Sequence, residues 1–483
     1  MKSTKFVNRV SELDALEKRY KTENAEFTVI YGKRRVGKTE LIKKFFENKP
    51  HIYFLADKRS DIDQLKELAG KMGECFQDSF VSRNGFSDWI SIFEYLREKL
   101  KDEKHRNEKL IFVIDEFPYL VHSNKAMASL FQKGWDEYLK ELNIFLILCG
   151  SSISMMEKEI LSYESPLYGR RTGQMMLQPM KFAEMMQFFP ELDMEKAVMF
   201  YSILGGTPEY WKQFSDDMGV IENIKENVIR RDAFLYNEIE FILREELREP
   251  KNYFSIIKSI SFGKTKLNEI VMEMGIERGT VSKYLETLEG PKIIKREVPA
   301  TEKHPLKSRK GIYIVDDNFF NFWFRFVYPN KGYIEEGRAE YVLNEKIKPN
   351  LNAFAGLCFE DICREILVVM DVRGKMPFKG GEIGRWWNKD KEIDIIIKND
   401  KTSEIMFCEC KWKDNVGFDV LEELKKKADF VEWNKEKRMA YFMLFAKSFD
   451  PEFKKHSEEN NILCIDIKYI ENFLKQKIES QRY

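Results

Sequence analysis

Gly32-Lys33-Arg34-Arg35-Val36-Gly37-Lys38-Thr39 decides the fold of the first part of this chain. The run before it, from Phe27 to Tyr31, is apolar and β-branched, which predicts a buried strand. The run after it, from Glu40 to Phe46, places its apolar residues at helical spacing on one side. The sequence therefore predicts a strand, a glycine-bearing loop and a helix in direct succession.

The chemistry of this stretch follows from its pattern, G-x-x-x-x-G-K-[ST]. The glycines at 32 and 37 open backbone conformations that are closed to other residues, so the loop N–H groups can point inward at phosphate oxygens. The N-terminus of the following helix adds partial positive charge. Lys38 would reach the β- and γ-phosphates of a nucleotide, and the Thr39 hydroxyl would bind Mg²⁺. The alternative is a chance match in an ordinary turn. The candidates for nucleotide binding are Gly32, Lys33, Arg34, Arg35, Val36, Gly37, Lys38 and Thr39, with Lys38 also catalytic.

Two further apolar runs end in polar residues that would complete the same site. The run 110–114 is followed by Asp115, which would hold Mg²⁺, and by Glu116, which would polarise the attacking water. A carboxylate pair that merely caps a strand is the alternative. The run 144–149 leads to Ser151, whose side chain would sit beside the γ-phosphate; a plain turn is the alternative here.

Bulk properties limit the class of protein. A chain of 483 residues is too long for one core, which predicts two or three domains. Its 80 basic and 80 acidic residues cancel, so any site for nucleic acid must be a local patch. The chain holds no apolar run near the roughly 18 residues that cross a bilayer, and its start lacks the core of a signal peptide. We therefore expect no membrane partner and a cytoplasmic location, where its seven cysteines stay reduced.

These motifs resemble those of the archaeal-type ATPases found across prokaryotes, a branch of the AAA+ and signal-transduction (STAND) ATPases. Phe6-Val7-Asn8-Arg9-Val10-Ser11-Glu12-Leu13 is similar to the family's opening F-x-G-R-x-x-E-L, with Asn8 in place of the glycine. The resemblance implies that Arg9 lies near the adenine. Pro166-Leu167-Tyr168-Gly169-Arg170-Arg171-Thr172 resembles the segment that carries a phosphate-sensing or finger arginine, which makes Arg170 a candidate. Which arginine of the pair acts, and whether in cis or in trans, stays open, and a solvated arginine pair is the alternative.

The resemblance extends to a lid motif. Leu204-Gly205-Gly206-Thr207-Pro208-Glu209-Tyr210 is similar to the family's G-x-P segment, whose proline, here Pro208, packs near the bound base. The likeness covers residues 1–215. It implies a P-loop NTPase domain with a parallel α/β sheet and a helical lid, using ATP and Mg²⁺.

Residues 216–345 are predicted to form a helical linker, over 219–249, and a winged-helix domain. Helices at 266–274 and 279–288, then strands at 293–298 and 311–315, fit the order of a winged helix. Between 251 and 315, thirteen Lys and Arg outnumber seven Glu. A structural relay against the nucleotide domain is the alternative to DNA contact. The candidates for contacting double-stranded DNA are Arg278, Thr280, Ser282, Lys283, Lys303, Lys307, Arg309 and Lys310.

The last part, residues 346–483, carries a second candidate for chemistry. A strand over 392–397 holds Asp394, and a strand over 405–412 holds Glu409 and Lys411 on one face, because side chains alternate along a strand. Asp394 followed by Glu409-x-Lys411 resembles the PD-(D/E)xK core of restriction-endonuclease-like nucleases. The resemblance implies that Asp394 and Glu409 bind Mg²⁺, that Lys411 activates the hydroxide, and that Glu360 from the preceding helix completes the metal shell.

Two other patterns in the chain are interpreted as core. The aromatic run 318–328 is predicted to be a buried helix rather than a platform for stacking bases. The cysteines Cys358, Cys363, Cys408 and Cys410 are interpreted as small buried residues, because their spacings are not the usual zinc pairs.

The sequence as a whole predicts an α/β protein of three domains, 1–215, 216–345 and 346–483. Its function would be that of a Mg²⁺-dependent ATPase switch that acts with DNA through the winged helix and the nuclease-like domain. One alternative is an ATP-dependent regulator that binds DNA or a protein partner and has a silent C-terminal domain. Another is an oligomeric motor, a homo-oligomer with an arginine finger in trans.

Overall fold

The computed structural model describes residues 6–102, 108–247 and 250–480, with the side chains of 477–480 left aside. The chain divides into two compact units, Met1–Pro179 and Met180–Tyr483. The first unit therefore ends before the lid motif at 204–210, which the sequence had grouped with it. The reason lies in packing, because side chains from Met180 to Phe214 belong to the hydrophobic core of the second unit.

The first unit is built on a five-stranded sheet whose strands are all parallel. Their order across the sheet is β2-β3-β4-β1-β5. Every residue of β1, β3 and β4 is buried, as expected for parallel strands covered on both faces. The strands are β1 Glu26–Tyr31, β2 His51–Leu55, β3 Leu110–Asp115, β4 Ile144–Gly150 and β5 Gly173–Met176.

Alternation along these strands creates two cores, one on each face of the sheet. In β4, for example, Leu146 and Leu148 belong to one core, whereas Phe145 and Ile147 belong to the other. The helices of this unit are α1 Val10–Tyr20, α2 Lys38–Phe46, α3 Asp61–Phe76, α4 Ser79–Asn84, α5 Trp89–Lys101, α6 Phe117–Ser123, α7 Met127–Gly134 and α8 Ile153–Met156.

The register of the sheet brings the ends of three strands to one edge. Tyr31, the last residue of β1, pairs with Gly150, the last residue of β4. One strand further, Ile114 of β3 pairs with Leu148 of β4. Parallel strands present their carboxyl ends at the same edge, where α/β sheets bind ligands. The sheet therefore fixes where the segments after β1, β3 and β4 meet.

The second unit begins with helices and carries a mixed sheet in its last part, with helices between and after the strands. The first of these helices are α9 Phe182–Phe188, α10 Met194–Leu204, α11 Pro208–Trp211, α12 Val220–Ile224, α13 Glu238–Glu246, α14 Lys251–Ser261, α15 Leu267–Met274 and α16 Arg278–Glu289. The rest are α17 Asn318–Phe322, α18 Lys331–Glu335, α19 Ala339–Tyr341, α20 Leu351–Val372, α21 Phe418–Ala428, α22 Pro451–Glu459 and α23 Ile467–Ser480. π-helical segments continue several helices, at Trp135–Leu139 and Glu157–Leu161 in the first unit and at Lys225–Ile229, Trp323–Val327 and Val342–Ile347 in the second.

Two strand systems alternate with these helices along the chain. A two-stranded antiparallel ribbon joins β6 Ile294–Glu297 to β7 Ile312–Val315. A five-stranded sheet has the order β12-β11-β10-β9-β8, antiparallel between β8, β9 and β10 and parallel between β10, β11 and β12. Its strands are β8 Glu382–Asn388, β9 Lys391–Asn399, β10 Glu404–Lys411, β11 Met439–Ala446 and β12 Leu463–Asp466.

Several sequence interpretations in this unit agree with the structure. In α16 the residues expected to point inward, Val281, Leu285 and Leu288, are fully buried. The aromatic run 318–328 is mostly buried in the core, as are all four cysteines interpreted as core residues. Within the described residues, no helix combines the length and the apolar character needed to cross a membrane.

The predicted continuous helix over 219–249 is wrong. Helical structure starting at Val220 ends at Ile229, where Arg230 turns to an extended conformation, and α13 begins only at Glu238. The interruption buries Leu235 and Tyr236, and the Tyr236 hydroxyl donates a hydrogen bond to Glu335. Burial of these two side chains against the aromatic core overrides the helical spacing of the flanking residues.

Candidate functional site

The loop between β1 and α2 has the backbone that its glycines predict. Gly32 has φ 153° and Gly37 has φ 94°, and Arg35 between them is left-handed as well, with φ 66°. A Cβ atom on Gly32 would lie 2.4 Å from the carbonyl oxygen of Leu177, so only glycine fits there. The loop therefore follows a path that a chance turn would not require.

Lys38 occupies the centre of this loop. Its side chain is buried, and its Nζ donates to the carbonyl oxygens of Gly32 and Lys33, each at 2.9 Å. Burial lowers the pKa of Lys38, and the charges of Glu116 and Asp115 oppose this effect. The lysine is thus a desolvated cation with no direct ion pair in the described residues, held where an anion would stabilise it.

Thr39 and Asp115 meet at the start of α2. The Thr39 hydroxyl donates to Asp115 Oδ2 at 2.7 Å, and the Tyr53 hydroxyl donates to the same oxygen at 2.8 Å. A hydroxyl and a carboxylate beside a phosphate-binding loop are the protein donors that Mg²⁺ takes when nucleotide phosphates and waters supply the rest. These residues fit Mg²⁺, which would supply positive charge against the nucleotide phosphates.

Glu116 and Ser151 form the other half of the site. The backbone of Glu116 has a left-handed conformation, with φ 54°, and this residue follows β3 directly. The Ser151 N–H donates to Glu116 Oε2 at 3.2 Å, and the Ser151 hydroxyl donates to Glu116 Oε1. Ser151 therefore fixes the carboxylate of Glu116, a link between the ends of β3 and β4 that the sequence did not reveal.

Tyr53 and Tyr119 are residues of this site that sequence reasoning missed. Tyr53 reaches Asp115 from β2, and burial together with the Asp115 charge raises the pKa of its hydroxyl. The Tyr119 hydroxyl accepts a hydrogen bond at 3.2 Å from Arg34 of the loop. The only signal that could have found them was their place in the sequence. Tyr53 lies on a strand that precedes a helix, and Tyr119 lies three residues after Glu116.

Arg9 lies in the first unit, where its side chain contacts other residues of the protein. Its guanidinium is buried and donates to the carbonyl oxygens of Val36 at 2.9 Å and Gln178 at 2.8 Å, and to Glu12 Oε1 at 2.9 Å. The side chain therefore ties the phosphate loop to the segment that follows β5. Arg9 thus holds the loop, and its position near the adenine, which the sequence resemblance implies, stays a prediction.

Replacing Arg9 with alanine tests this assignment. The change removes hydrogen bonds from a buried charged donor, worth about 2–3 kcal/mol together, so we expect Tm to fall by about 5–10 °C. ATP and GTP binding should weaken by the same factor, because the loop serves every nucleotide. Calorimetric titration with both nucleotides is the measurement, with Lys18→Ala, an exposed change on α1, as control. Selective loss of ATP binding would instead support adenine contact.

The structure does not bring Arg170 to the loop. Its guanidinium donates to Asp136 Oδ2 at 3.2 and 3.3 Å, and Thr172, two residues on, donates its N–H to Phe27 at the start of β1. The loop between β1 and α2 follows the carboxyl end of β1, whereas Arg170 lies near its amino end. Arg170 and the loop are therefore at opposite ends of the parallel strands. Within one copy of the first unit, Arg170 is therefore separated from the other candidate residues.

Pro208 lies in the second unit, at the first position of α11. The preceding segment is tightly packed, since Gly206 accepts a hydrogen bond at 2.7 Å from the Met180 N–H. A Cβ atom on Gly206 would lie 2.0 Å from the Met180 carbonyl oxygen. The glycines of this motif thus serve close backbone packing, and contact between Pro208 and a nucleotide stays a prediction.

The second unit gathers Asp394, Glu409 and Lys411 at adjacent strands. Asp394 Oδ2 accepts a hydrogen bond at 2.8 Å from the Cys410 N–H. Glu409 Oε1 accepts from Lys411 Nζ at 2.7 Å and from Lys427 Nζ at 2.8 Å. Burial and the neighbouring Glu409 charge raise the pKa of Asp394 to about 6. Lys427, on α21, was missed because a lysine-rich helix end usually faces solvent.

Glu360, the third predicted metal ligand, has a partner of its own. Its carboxylate accepts a hydrogen bond from Arg385 of β8, which sequence reasoning had not considered. Burial and the Asp394 charge raise the pKa of Glu360 to about 8, against the effect of Arg385. Within the described residues, no three His, Cys, Asp or Glu side chains form a group able to hold a metal ion. The predicted set of Glu360, Asp394 and Glu409 is therefore not assembled as three ligands.

Two carboxylates of this cluster still suit a divalent cation. Glu409 Oε2 is buried without a hydrogen-bond partner, and Asp394 lies next to it on the neighbouring strand. An orphaned buried oxygen beside a second carboxylate is a position that a cation would stabilise. The donor set thus fits a metal held by two protein ligands rather than three.

The chain matches two family models. Residues 6–214 match a family described as an ATPase domain predominantly from Archaea. Residues 323–429 match DUF234, described as "Archaea bacterial proteins of unknown function".

Two relatives and one solved structure are similar to this chain. The protein MJECL04 of Methanocaldococcus jannaschii, described as uncharacterized, is 38% identical over 415 residues, covering 86% of this chain and 89% of that protein. The uncharacterized ATP-binding protein MJ0423 of the same organism is 57% identical over 44 residues, which cover 9% of this chain and 75% of that protein. A solved structure, the Walker-type ATPase PABY2304 of Pyrococcus abyssi, is 20% identical with a TM-score of 0.46, covering 66% of this chain and 96% of that one. The chain belongs to the same family as MJECL04 and is a P-loop ATPase of the type found predominantly in Archaea.

Proposed function

We propose that this protein is a Mg²⁺-dependent ATP-hydrolysing switch whose nucleotide state controls how its second unit acts on DNA. The observation that carries the ATPase part is the convergence of Lys38, Thr39, Asp115 and Glu116 at one edge of the parallel sheet. Each has a distinct role there. Lys38 would hold phosphate charge, Thr39 and Asp115 would hold Mg²⁺, and Glu116 would orient water for attack on the γ-phosphate.

Phosphate release from ATP tests this proposal directly. Activity should require Mg²⁺, disappear with excess EDTA, and return when Mg²⁺ is restored. Because the loop contacts would recognise phosphates, ADP should compete with ATP. Purified protein that binds ATP but releases no phosphate in any condition would contradict the proposed hydrolysis.

We propose a winged helix for residues 251–315. Supporting it are three consecutive helices, α14, α15 and α16, followed by the β6–β7 ribbon. Lys266, ahead of α15, forms an isolated antiparallel β-bridge with Ile312 of β7, so this segment runs beside the ribbon at one residue. Ser282 and Lys283 of α16 are exposed, as a helix that reads a groove requires.

A second candidate activity is Mg²⁺-dependent cleavage of DNA by the last sheet. The observation that favours it is the meeting of Asp394, Glu409 and Lys411 around one buried, unpartnered carboxylate oxygen. Lys411, about a third exposed, would orient the attacking water, and the two carboxylates would hold the cation. The alternative is a silent domain, in which Lys411 and Lys427 neutralise Glu409 permanently and the protein acts as a regulator of DNA or of a protein partner.

Nicking of supercoiled plasmid distinguishes a domain that cleaves DNA from a silent domain. If the site cleaves, Glu409→Ala and Lys411→Ala should each reduce Mg²⁺-dependent nicking to background, while ATP hydrolysis persists. Glu422→Ala and Lys401→Ala, exposed changes in the same region, are matched controls and should nick normally. If the unaltered protein nicks no DNA with ATP, with ADP or without nucleotide, the silent-domain alternative holds.

The motor alternative depends on Arg170. Its position away from the loop leaves only action in trans, on the nucleotide of a second copy. Mass measurement in solution with and without ATP tests this alternative, since an arginine finger in trans requires a homo-oligomer in the ATP state. A strict monomer in both states excludes it.

A further inference from the structure

A large basic cleft lies in the second unit, where the β6–β7 ribbon meets the turn between β8 and β9. Its volume is about 1020 Å³, and its lining holds six Lys and Arg side chains and one acidic residue, Glu269. The backbones of the two walls are joined, because the Ala300 N–H donates to the Arg385 carbonyl oxygen at 2.9 Å. The basic residues are Lys266, Arg278, Arg296, Arg309, Lys310 and Lys389.

Most of this charge is uncompensated. Lys310 pairs with Glu302 at 3.6 Å, and Arg296 donates to carbonyl oxygens of the ribbon loop. The other four cations, Lys266, Arg278, Arg309 and Lys389, have no ion-pair partner in the parts of the chain that the structure describes. Like charges gathered in one concave surface repel each other and concentrate counter-ions there. The cleft therefore favours a ligand with several negative charges along its length.

The loop of the ribbon adds a second, independent feature. Leu306 is 96% exposed at the tip of this loop, within the short helical turn Pro305–Lys307. Arg296 fixes the tip, since its guanidinium donates to the carbonyl oxygens of Pro305 at 3.3 Å and Ser308 at 2.6 Å. A large apolar side chain is thus held in solvent by a braced loop, between lysines at 303 and 307.

These two features together favour duplex DNA. A single nucleotide would need only two or three of the cations, whereas a sugar-phosphate backbone presents a charge at every step. The minor groove of B-DNA, about 6 Å wide, accepts apolar wedges such as leucine between base steps, usually beside basic residues. An RNA duplex has a wide, shallow minor groove that offers such a wedge no comparable slot.

We propose that the basic cleft binds the sugar-phosphate backbone of duplex DNA while Leu306 enters the adjacent minor groove. This assignment rests on the proposed action on DNA and identifies where the duplex lies. It also relates the cleft to the carboxylate cluster. Lys389 and Asp394 are five residues apart along the β8–β9 hairpin, so their Cα atoms are at most about 17 Å apart. DNA held in the cleft therefore lies near Asp394.

Binding of a fluorescently labelled duplex of about two helical turns to the full chain tests the cleft. The double variant Arg278→Glu, Lys389→Glu should weaken binding at least about 10-fold and make the salt dependence shallower by about two units of slope. The matched control, Lys348→Glu with Lys437→Glu, makes the same change of net charge at exposed sites outside the cleft. The control should bind like the unaltered protein.

Leu306→Ser tests the wedge without endangering the fold, because the side chain is exposed. A duplex carrying 2-aminopurine at an A·T-rich step should brighten when the unaltered protein unstacks it and should stay dim with Leu306→Ser. Val372→Ser, a change of another exposed apolar residue at 83% exposure, is the control, and this variant should brighten the probe normally.

The outcomes separate this inference from the proposed function. Unchanged duplex affinity in the cleft variant, or equal affinity for an RNA duplex, overturns the assignment and leaves ATP hydrolysis untouched. Absence of duplex binding in every nucleotide state, from protein that hydrolyses ATP, overturns both the cleft and the DNA part of the function. If the protein hydrolyses no ATP but binds duplex DNA in a way that depends on the cleft, the DNA-binding role of the cleft is supported and the ATP-hydrolysing switch is contradicted.

Discussion

Replacing Lys38 with alanine is expected to lower kcat/KM for ATP hydrolysis by at least about 10²–10³-fold, the cost of removing one preorganised charged donor from the transition state. The geometry supplies the reason. Nζ is buried in the loop and anchored to two carbonyl oxygens, so its charge is aimed where phosphate oxygens would lie. Lys33, the other lysine of this loop, is only half-buried, so Lys38 is the lysine that the loop encloses.

Phosphate release at saturating Mg²⁺ and ATP is the measurement. Lys43→Ala, an exposed change on the same helix, is the matched control and should hydrolyse ATP normally. Burial lowers the pKa of Lys38, which means that the fold without nucleotide bears the cost of a desolvated cation. The Tm of the alanine variant should therefore be no lower than that of the unaltered protein. Wild-type rates in the purified variant would contradict the proposed site.

The phosphate loop could be predicted from sequence because its parts are contiguous. Strand, loop and helix follow each other within residues 26–46, so local pattern alone specifies the backbone path and the burial of Lys38. Asp115 and Glu116 were also within reach, since a polar pair after a buried parallel strand must emerge at the ligand-binding edge. For these residues, position along the chain determines position in space.

Contacts that depend on the order of strands could not be predicted in this way. Tyr53 reaches Asp115 only because β2 lies beside β3, and β2 is a short, half-exposed strand with a weak pattern. Arg9 bonds to Val36 and to Gln178, partners 27 and 169 residues away. Such distances along the chain carry no periodic signal, and the family resemblance, which places Arg9 near the adenine, did not indicate these two contacts.

The domain boundary shows the same limit. Residues 180–214 match the ATPase family in sequence, yet their apolar side chains pack in the core of the second unit. An amphipathic helix reveals which face it buries, but its pattern does not say which core receives that face. Likewise, Arg385 donates a hydrogen bond to Glu360 and Lys427 donates one to Glu409, although no motif marked either position.

Glu116→Gln should separate binding from hydrolysis. The carboxylate is held in place by two hydrogen bonds from Ser151 and is the group best placed to take a proton from attacking water. Glutamine keeps the shape but loses the basicity, so kcat should fall by about 10²–10⁴-fold. ATP affinity should change little, because Lys38 and the loop backbone remain. Glu40→Gln, an exposed change on α2, is the control and should leave both quantities unaltered.

This variant also tests whether the protein is a switch. Protein locked with ATP by Glu116→Gln and unaltered protein with ADP differ only in one phosphate and one amide. A ligand shifts a conformational equilibrium only through a difference in its affinity for the two states, so a switch must show a difference in the second unit between these two forms. Hydrogen exchange over residues 180–483 is the measurement. Identical exchange in both forms would mean that hydrolysis in the first unit controls nothing in the second, and the protein would then be an ATPase but not a switch.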